Sequence, residues 1–324
     1  MNRIGTDIKR KIIQIAAFGF TNSRLGNFAK GKIYTGEWKK FCTPGLNCYS
    51  CPAATFACPI GAMQAVAGTI DYKLSFYVVG FLLAIGVIFG RLICGYICPF
   101  GLLQELINKI PVKNVKLPKW MTRIKYIILV VFVLLLPIMV TNYLGMGDPA
   151  FCKYICPVGT LEGGIPLLST HSELRQTLGG VFTLKVTILA GVLIASCFVY
   201  RFFCKAMCPL GAIYALFNKI SFFHMSYDKD KCIGCGKCVS VCKMDVDPVK
   251  DLNSAECIRC GKCIEACPTG SLNLGIGGHS PSIQKKDRLR DIPLDIQRTQ
   301  LNSINKNEKG KNYGSNLFKL WVEI

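Results

Sequence analysis

Acidic residues are scarce in this chain, which has 19 Asp and Glu against 39 Lys and Arg in 324 residues. The basic residues fall in three separate places, residues 1–40, the loop 109–125 and the segment after 284, without a nucleic-acid recognition motif. The positive charge therefore indicates membrane-flanking and tail segments and not a nucleic-acid partner. The sequence also lacks motifs for covalent attachment of haem or flavin, and no pattern in it is typical of a general acid or a nucleophile.

Hydrophobic residues make up 51% of the chain and the mean hydropathy is positive, which predicts one part in a membrane and another in water. Three stretches are apolar enough to cross a bilayer, which needs about 20 residues per helix. They begin at Leu74, Tyr126 and Leu178. A fourth stretch, residues 12–28, is short and contains an arginine, so it is either a first span or an interfacial helix.

Cysteine is unusually frequent, with 19 residues, which indicates a disulfide scaffold or metal ligands. One motif occurs four times, in which Cys-Pro is followed by an apolar residue and Gly. Three of the four copies have another cysteine four residues upstream, so the motif accounts for seven of the 19 cysteines. The copies are CPIGAMQ at 58–64, CPFGLLQ at 98–104, CPVGTLE at 156–162 and CPLGAIY at 208–214. Disulfides do not require such a motif at matching positions, so the spacing favours metal ligands.

Two sets of these motifs are related by constant displacements. Arg91, Cys94 and Cys98 recur 110 residues later as Arg201, Cys204 and Cys208, and Cys58 recurs 98 residues later as Cys156. We therefore predict two parallel half-repeats, related by a pseudo-twofold axis along the membrane normal.

This axis brings two CxxxCP motifs face to face. Each motif offers two cysteines one helical turn apart, and two such pairs supply the four thiolates of a cuboidal iron-sulfur cluster. The predicted ligands of this inner site are Cys94, Cys98, Cys204 and Cys208. Arg91 and Arg201 either offset the charge of the cluster or mark cytoplasmic helix ends.

A second, outer site draws on six cysteines: Cys42, Cys48, Cys51, Cys58, Cys152 and Cys156. Symmetry favours Cys58, Cys152 and Cys156 with one of Cys48 or Cys51, whereas residues 42–58 alone also contain four cysteines. Disulfides in an oxidising compartment are the other interpretation.

The orientation of the spans follows from positive charge. Residues 111–125, between the first two spans, contain five Lys and Arg, whereas residues 146–180 contain two. The first loop is therefore predicted to be cytoplasmic, with the inner site at the cytoplasmic ends of two spans and Cys58 and Cys156 toward the outer face.

Two CxxCxxCxxxC runs follow the third span, and they are typical of bacterial two-cluster ferredoxins, in which the fourth cysteine of each run binds the other cluster. One cluster is predicted to take Cys232, Cys235, Cys238 and Cys267, and the other Cys257, Cys260, Cys263 and Cys242. A tetrahedral zinc site fits this tandem spacing poorly.

The order of spans, the CxxxCP motifs and the ferredoxin runs resemble the NapH/NosR-type membrane polyferredoxin family over about residues 42–270. The resemblance implies two [4Fe-4S] clusters in the ferredoxin part and one or two more in the membrane part. It also implies electron exchange between a quinone pool or cytoplasmic donor and a partner redox protein, with quinone as a candidate second cofactor.

We therefore predict an α-helical membrane protein with 3–4 transmembrane helices in two parallel half-repeats, followed by a small α+β two-cluster ferredoxin domain in the cytoplasm. The predicted parts are a basic N-terminal segment (1–41), a membrane domain (42–223), the ferredoxin domain (228–275) and a polar, disordered tail (280–324). Within the membrane domain, half-repeats 42–110 and 145–220 are linked by the span 126–145. The expected role is electron transfer in the cell membrane as a subunit of an oxidoreductase system; a redox-sensing regulatory protein or a metal-centre maturation factor is the alternative.

Overall fold

The computed structural model describes residues 5–68, 75–140, 147–171, 173, 176 and 179–276. These residues are mostly helical and belong to one compact unit, with a two-stranded sheet near the C-terminal end. The tail predicted for residues 280–324 lies outside the described residues.

Helices make up most of this unit, and several contain π-helical turns. The helices and helical turns are Gly5–Thr21, Gly26–Lys30, Glu37–Lys40, Pro59–Ala67, Ser75–Phe89, Leu92–Tyr96, Pro99–Ile107, Met121–Ile128, Leu129–Leu135, Leu136–Met139, Phe151–Ile155, Pro157–Gly159, Thr160–Gly164, Ile165–Thr170, Gly180–Phe198, Phe202–Ala206, Pro209–Phe217, Lys237–Ser240 and Lys262–Ala266.

Each of the four CPxG motifs begins a helix. The cysteine stands just before the helix with extended backbone, and the proline occupies the first turn, where its missing N–H needs no partner. The glycine N–H then donates to the cysteine sulfur, at 3.4 Å from Gly159 to Cys156 and 3.3 Å from Gly211 to Cys208. The motif thus places a sulfur at a helix N-terminus, where backbone donors favour a thiolate.

Two helices in the described part of the chain are long and apolar enough to cross a membrane, Met121–Met139 and Gly180–Phe198, each with a mean hydropathy of 2.1. They are only 28% and 17% buried, so most of their apolar side chains face outward. The stretch predicted from Leu74 forms a shorter apolar helix, Ser75–Phe89. This helix ends at Gly90, whose φ of 54° lies in the left-handed region that favours glycine.

The N-terminal helix, Gly5–Thr21, starts earlier than the apolar stretch that predicted it and has its polar side inward. Arg10 and Gln14 are fully buried, whereas the isoleucines of the other side are exposed. Arg10 donates to the Gly95 carbonyl at 3.0 Å, and Gln14 donates to the Cys98 carbonyl at 3.1 Å. The helix therefore packs directly on the first inner CxxxCP motif.

The ferredoxin part is closed by strands Phe223–Tyr227 and Leu272–Ile276, which pair antiparallel with Phe223 opposite Ile276. Both cysteine runs lie between these strands, in agreement with a small α+β domain. Buried ion pairs attach this part to the helices: Glu256 contacts Arg91 and Lys125, and Lys205 contacts Asp245 at 2.6 Å.

Arg259 of the ferredoxin part inserts between the helices. It is almost fully buried and donates to the carbonyls of Phe89, Phe223 and Asn218. Because Phe89 is the last residue of its helix, the guanidinium satisfies a helix-end carbonyl and complements the negative end of the helix dipole.

Glu105 holds two buried arginines. Its carboxylate lies 2.6 Å from Arg201 and 2.7 Å from Arg10, and both guanidinium groups are inaccessible to solvent. Burial alone would raise the pKa of Glu105, but Arg201 and Arg10 lower it to about 2.

We predict that Glu105→Gln lowers the free energy of unfolding by about 3–5 kcal/mol, because it leaves buried guanidinium charge without its partner. The pKa of Glu105 is lowered on folding, so its contribution is complete above the ordinary value of 4.5 and is lost as pH falls toward 2. Thermal unfolding in detergent at neutral and acidic pH measures both effects. Asp7→Asn is the control, since Asp7 is a more exposed partner of Arg10; equal losses in the two variants would contradict the prediction.

Candidate iron-sulfur sites

The structure brings the four cysteines of the predicted inner site together. Burial, together with the neighbouring Cys204 and Cys94, raises the pKa of the Cys98 thiol to about 12. Cys208 interacts with the same three thiols. All four are buried, so they form one water-excluded group of sulfurs.

Two buried arginines cross between the halves at this site. Arg91 donates to the carbonyl of Cys204 at 3.1 Å, and Arg201 donates to the carbonyl of Cys94 at 2.5 Å. Both side chains are fully buried, so they do not reach toward solvent as an arginine at a helix end would. Of the two interpretations left open by the sequence, the structure favours charge compensation beside the thiols.

A second group contains Cys48, Cys58, Cys152 and Cys156. Burial raises the pKa of Cys156, and Cys152, Cys48 and Cys58 add to this effect. The sulfurs of Cys48 and Cys156 also flank Gly159, where a Cβ would lie 3.7 Å and 3.9 Å from them. Of the two symmetric alternatives, the structure therefore brings Cys48 into the group.

Cys51 and Cys42 have different surroundings. The Cys51 sulfur lies 3.8 Å from Asn22, close to the buried ammonium of Lys39, which donates to a backbone carbonyl. Burial lowers the pKa of Lys39, while Cys51 and Cys48 oppose that shift. The backbone N–H of Cys42 points to the Tyr77 hydroxyl at 3.5 Å.

The two groups of four are close neighbours. The Leu46 N–H donates to the Cys98 sulfur of the inner group, and Cys48, two residues later, belongs to the second group. Two residues span at most about 7 Å, whereas the hydrocarbon core of a bilayer is about 30 Å thick. The prediction that these sites lie toward opposite faces is therefore wrong, because residues 42–48 fold inward between them.

The second ferredoxin run also meets its predicted partner. One cavity is lined by Cys242, Cys257, Cys260 and Cys263 together with apolar side chains that include Met225, Met244 and Ile258. Cys242 comes from the first run, so the exchange of the fourth cysteine expected for two-cluster ferredoxins is present in the fold.

The remaining ferredoxin cysteines differ in accessibility: Cys232 and Cys238 are half-buried, and Cys267 is buried. Cys232 and Cys238 interact, and Cys235 is exposed. Burial raises the pKa of Cys267, but the hydroxyl and N–H groups of Ser271 and Thr269 lower it overall to about 6. This environment favours a thiolate, the form that binds iron.

The inner site touches the second ferredoxin run through backbone. A Cβ on Gly95, between Cys94 and Cys98, would lie 2.6 Å from the Ile258 carbonyl, which stands between Cys257 and Cys260. The loops of these two cysteine groups are therefore in direct contact.

Two glutamines donate to cysteine sulfurs, a role that the sequence did not reveal. Gln104 lies 3.3 Å from the Cys204 sulfur, and Gln64 lies 3.1 Å from the Cys152 sulfur. Their shared position at the end of CPxGxxQ was the available signal. Arg10 was also missed; it stands between Lys9 and Lys11, and nothing in the sequence distinguishes it from these neighbours.

The donor sets fit four-iron clusters. Three groups contain four cysteines each, and in each group at least one sulfur accepts a backbone N–H, as cluster thiolates do. Within the described residues, no three His, Cys, Asp or Glu side chains lie close enough to hold a single metal ion.

Comparisons with known proteins agree with this chemistry. The 4Fe-4S binding domain matches residues 74–118, 126–168 and 182–226, and the 4Fe-4S dicluster domain matches residues 224–268. Each of the first three matches contains one CxxxCP motif. The protein is thus an iron-sulfur protein with several 4Fe-4S binding domains. These matches, together with the relatives described next, support the NapH/NosR-type family that the motifs resemble.

Several curated proteins are similar to this chain. An uncharacterized protein of Methanocaldococcus jannaschii is 33% identical over 174 residues, which are 52% of this chain and 65% of that protein. Escherichia coli YccM, named for electron transport, is 28% identical over 217 residues, covering 63% and 56%. Protein NirI of Paracoccus denitrificans is 28% identical over 182 residues, covering 53% and 24%. The chain thus spans less than two thirds of each relative, and no solved structure matches it.

We predict that Cys48→Ala removes about four iron atoms per chain, because Cys48 completes the second group of thiols. Cys51→Ala and Cys42→Ala are matched controls from the same segment and should retain the full iron content. Iron and acid-labile sulfide analysis of the three purified variants measures this. Equal iron loss in Cys48→Ala and Cys51→Ala would contradict the assignment.

Gly95→Ala should separate the inner loop from the ferredoxin part, because its Cβ would overlap the Ile258 carbonyl. We expect faster hydrogen exchange in residues 92–98 and 255–260, with retained secondary structure. Gly80→Ala is the control, since nothing lies within 4 Å of its added Cβ. Unchanged exchange in Gly95→Ala would show that this contact does not hold the two parts together.

Proposed function

We propose that this protein is a membrane-bound electron relay that holds four [4Fe-4S] clusters and exchanges electrons with a partner redox protein or the quinone pool. The 4Fe-4S domains and the relative named for electron transport support the general function. A bound four-iron cluster supplies one-electron redox chemistry. The chain positions the cysteines, excludes water and provides hydrogen bonds to sulfur.

The proposed ligands form four groups of cysteines. They are Cys48, Cys58, Cys152 and Cys156; Cys94, Cys98, Cys204 and Cys208; Cys242, Cys257, Cys260 and Cys263; and Cys232, Cys235, Cys238 and Cys267. Neighbouring thiols support the first three groups, and the motif supports the fourth.

The continuity of these groups carries the proposal. Leu46 and Cys48 join the first two groups through two residues of chain, and Gly95 touches Ile258 between the second and third. Cys242 belongs to the third group, whereas the other three cysteines of the same CxxCxxCxxxC run belong to the fourth, so the chain connects these two groups directly. Electrons entering at the exposed Cys235 end thus have a continuous series of sites leading into the helical part.

The outward-facing apolar helices Met121–Met139 and Gly180–Phe198 support the membrane placement, with Ser75–Phe89 as a third, shorter span in the proposal. We propose that residues 42–223 form the membrane domain, in two half-repeats with reciprocal arginine contacts. Lys125 lies near the start of the helix Met121–Met139, directly after the basic loop, and it binds Glu256 of the ferredoxin part. Both are therefore on one side, and positive charge assigns that side to the cytoplasm.

The proposal is tested by iron and acid-labile sulfide analysis of protein purified anaerobically from washed membranes in detergent, with EPR-monitored reduction. We expect about 16 iron atoms per chain and signals from more than the two ferredoxin clusters. Cys94→Ala should lose about four iron atoms and keep the ferredoxin signals.

A content of about 8 iron atoms would contradict the relay. Iron would then be confined to the ferredoxin part, and the buried thiols of the helical part would point to a redox sensor or a maturation factor. Recovery of the protein in the soluble fraction after an alkaline wash would contradict the membrane placement.

A further inference from the structure

Gln64 and Gln104 occupy the same position in two motifs, at the end of CPIGAMQ and CPFGLLQ, and both are fully buried. Each amide lies beside a sulfur of the other half, Cys152 at 3.1 Å and Cys204 at 3.3 Å. We propose that these glutamines tune the two clusters of the helical part, each raising the reduction potential of one cluster by donating an N–H to a thiolate ligand. This inference rests on the proposed function.

The orientation of each amide follows from its other partners. The Gln104 oxygen accepts the Phe203 N–H at 3.0 Å, and the Gln64 oxygen accepts the Phe151 N–H at 3.0 Å. A backbone N–H only donates, so the end of the amide that faces it is oxygen. The NH₂ end must then face the sulfur, which removes the usual ambiguity of glutamine side chains.

The second N–H of each amide is also used. Gln104 donates to the Phe100 carbonyl and Gln64 to the Ile60 carbonyl, each at 3.3 Å and one turn earlier in its own helix. Each amide is therefore held by its own helix, by a backbone N–H next to the ligand and by the sulfur. A side chain fixed in this way keeps its N–H directed at the sulfur without further loss of freedom.

The effect on potential has a definite sign. A hydrogen bond from N–H to a thiolate strengthens as the sulfur becomes more negative, so it stabilises the reduced state more than the oxidised state. Hydrogen bonds to the sulfurs are among the factors that set iron-sulfur potentials. Removing the donor should therefore make the potential more negative.

The hydrogen bond from a glutamine to a sulfur occurs once in each of the two sites, because the equivalent residues of the second half have other partners. Glu162 ends CPVGTLE and accepts the Cys48 N–H at 2.8 Å, and Tyr214 ends CPLGAIY and donates to the Pro44 carbonyl at 2.9 Å. Both hold the segment 42–48 between the two sites. Each site thus has one glutamine that reaches a sulfur and one residue that fixes the intervening segment.

The test is EPR-monitored redox titration of full-length Gln104→Met and Gln64→Met in detergent, alongside iron analysis. We expect unchanged iron content and one cluster shifted to a more negative potential in each variant, a different cluster in the two cases. A tenfold change in the one-electron equilibrium corresponds to a shift of about 59 mV, the size we expect.

Gln14→Met is the matched control, since Gln14 is a buried glutamine that donates to the Cys98 carbonyl and not to a sulfur. It should shift the potential less than Gln104→Met. Equal shifts in the two variants, or unchanged potentials with full iron content, would overturn the proposal. About 8 iron atoms in the unmodified protein would instead overturn the proposed function, and this inference with it.

A second measurement needs no substitution and applies if the methionine variants lose iron. In protein with isotopically labelled glutamine side-chain amides, pulsed EPR should detect coupling between the labelled nitrogen and the reduced clusters of the helical part. Absence of that coupling would overturn the proposal.

Discussion

Burial of thiolate charge is the constraint on which the structure depends. A cluster with four thiolate ligands is anionic, and burying an anion is costly unless positive charge and hydrogen-bond donors surround it. Arg91 and Arg201 supply that charge at the inner site. Buried arginines need acids in turn, and Glu105 and Glu256 meet this need. Glu105 also binds Arg10 of the N-terminal helix, and Glu256 belongs to the ferredoxin part. Alternating charges around one site therefore hold three parts of the chain together.

The second group of thiols is compensated differently. Its nearby positive charge is the buried Lys39, whose pKa burial lowers against the opposing effect of Cys51 and Cys48. The neighbouring Glu162 is an acid, and burial raises its pKa to about 7 against the opposing Cys48 N–H. No comparable arginine pair is seen there in the described residues. Cys58 also lies outside the ranges matched by the 4Fe-4S binding domain, which begin at residue 74. The segment 42–58 thus gives this protein a site that the repeated domain alone does not contain.

Local patterns made much of this arrangement predictable. The CPxG spacing predicted helix starts with a sulfur at each, the repeat displacements predicted which cysteines of the inner site meet, and the ferredoxin runs predicted the exchange of Cys242. The choice of Cys48 over Cys51 was not predictable, because it depends on how residues 42–48 fold against Cys98 and Gly159. Burial of Arg10 was missed for a similar reason: its partner Glu105 is 95 residues away and has no sequence pattern of its own. The predicted spans also placed the inner site and the second cysteine group too far apart. Hydropathy indicates which helices cross the membrane, but it does not reveal that residues 42–48 fold inward between the two groups.

The link through Leu46 and Cys48 differs in kind from the contact between Gly95 and Ile258. The first link consists of one hydrogen bond, from the Leu46 N–H to the Cys98 sulfur, followed by two residues of chain whose covalent geometry allows at most about 7 Å. The second link combines backbone packing with the neighbouring ion pair between Arg91 and Glu256. Electron tunnelling weakens steeply with distance. In the proposed relay, loss of the polar contacts that attach the ferredoxin part would therefore slow transfer at Gly95, whereas the covalent part of the first link would be unaffected.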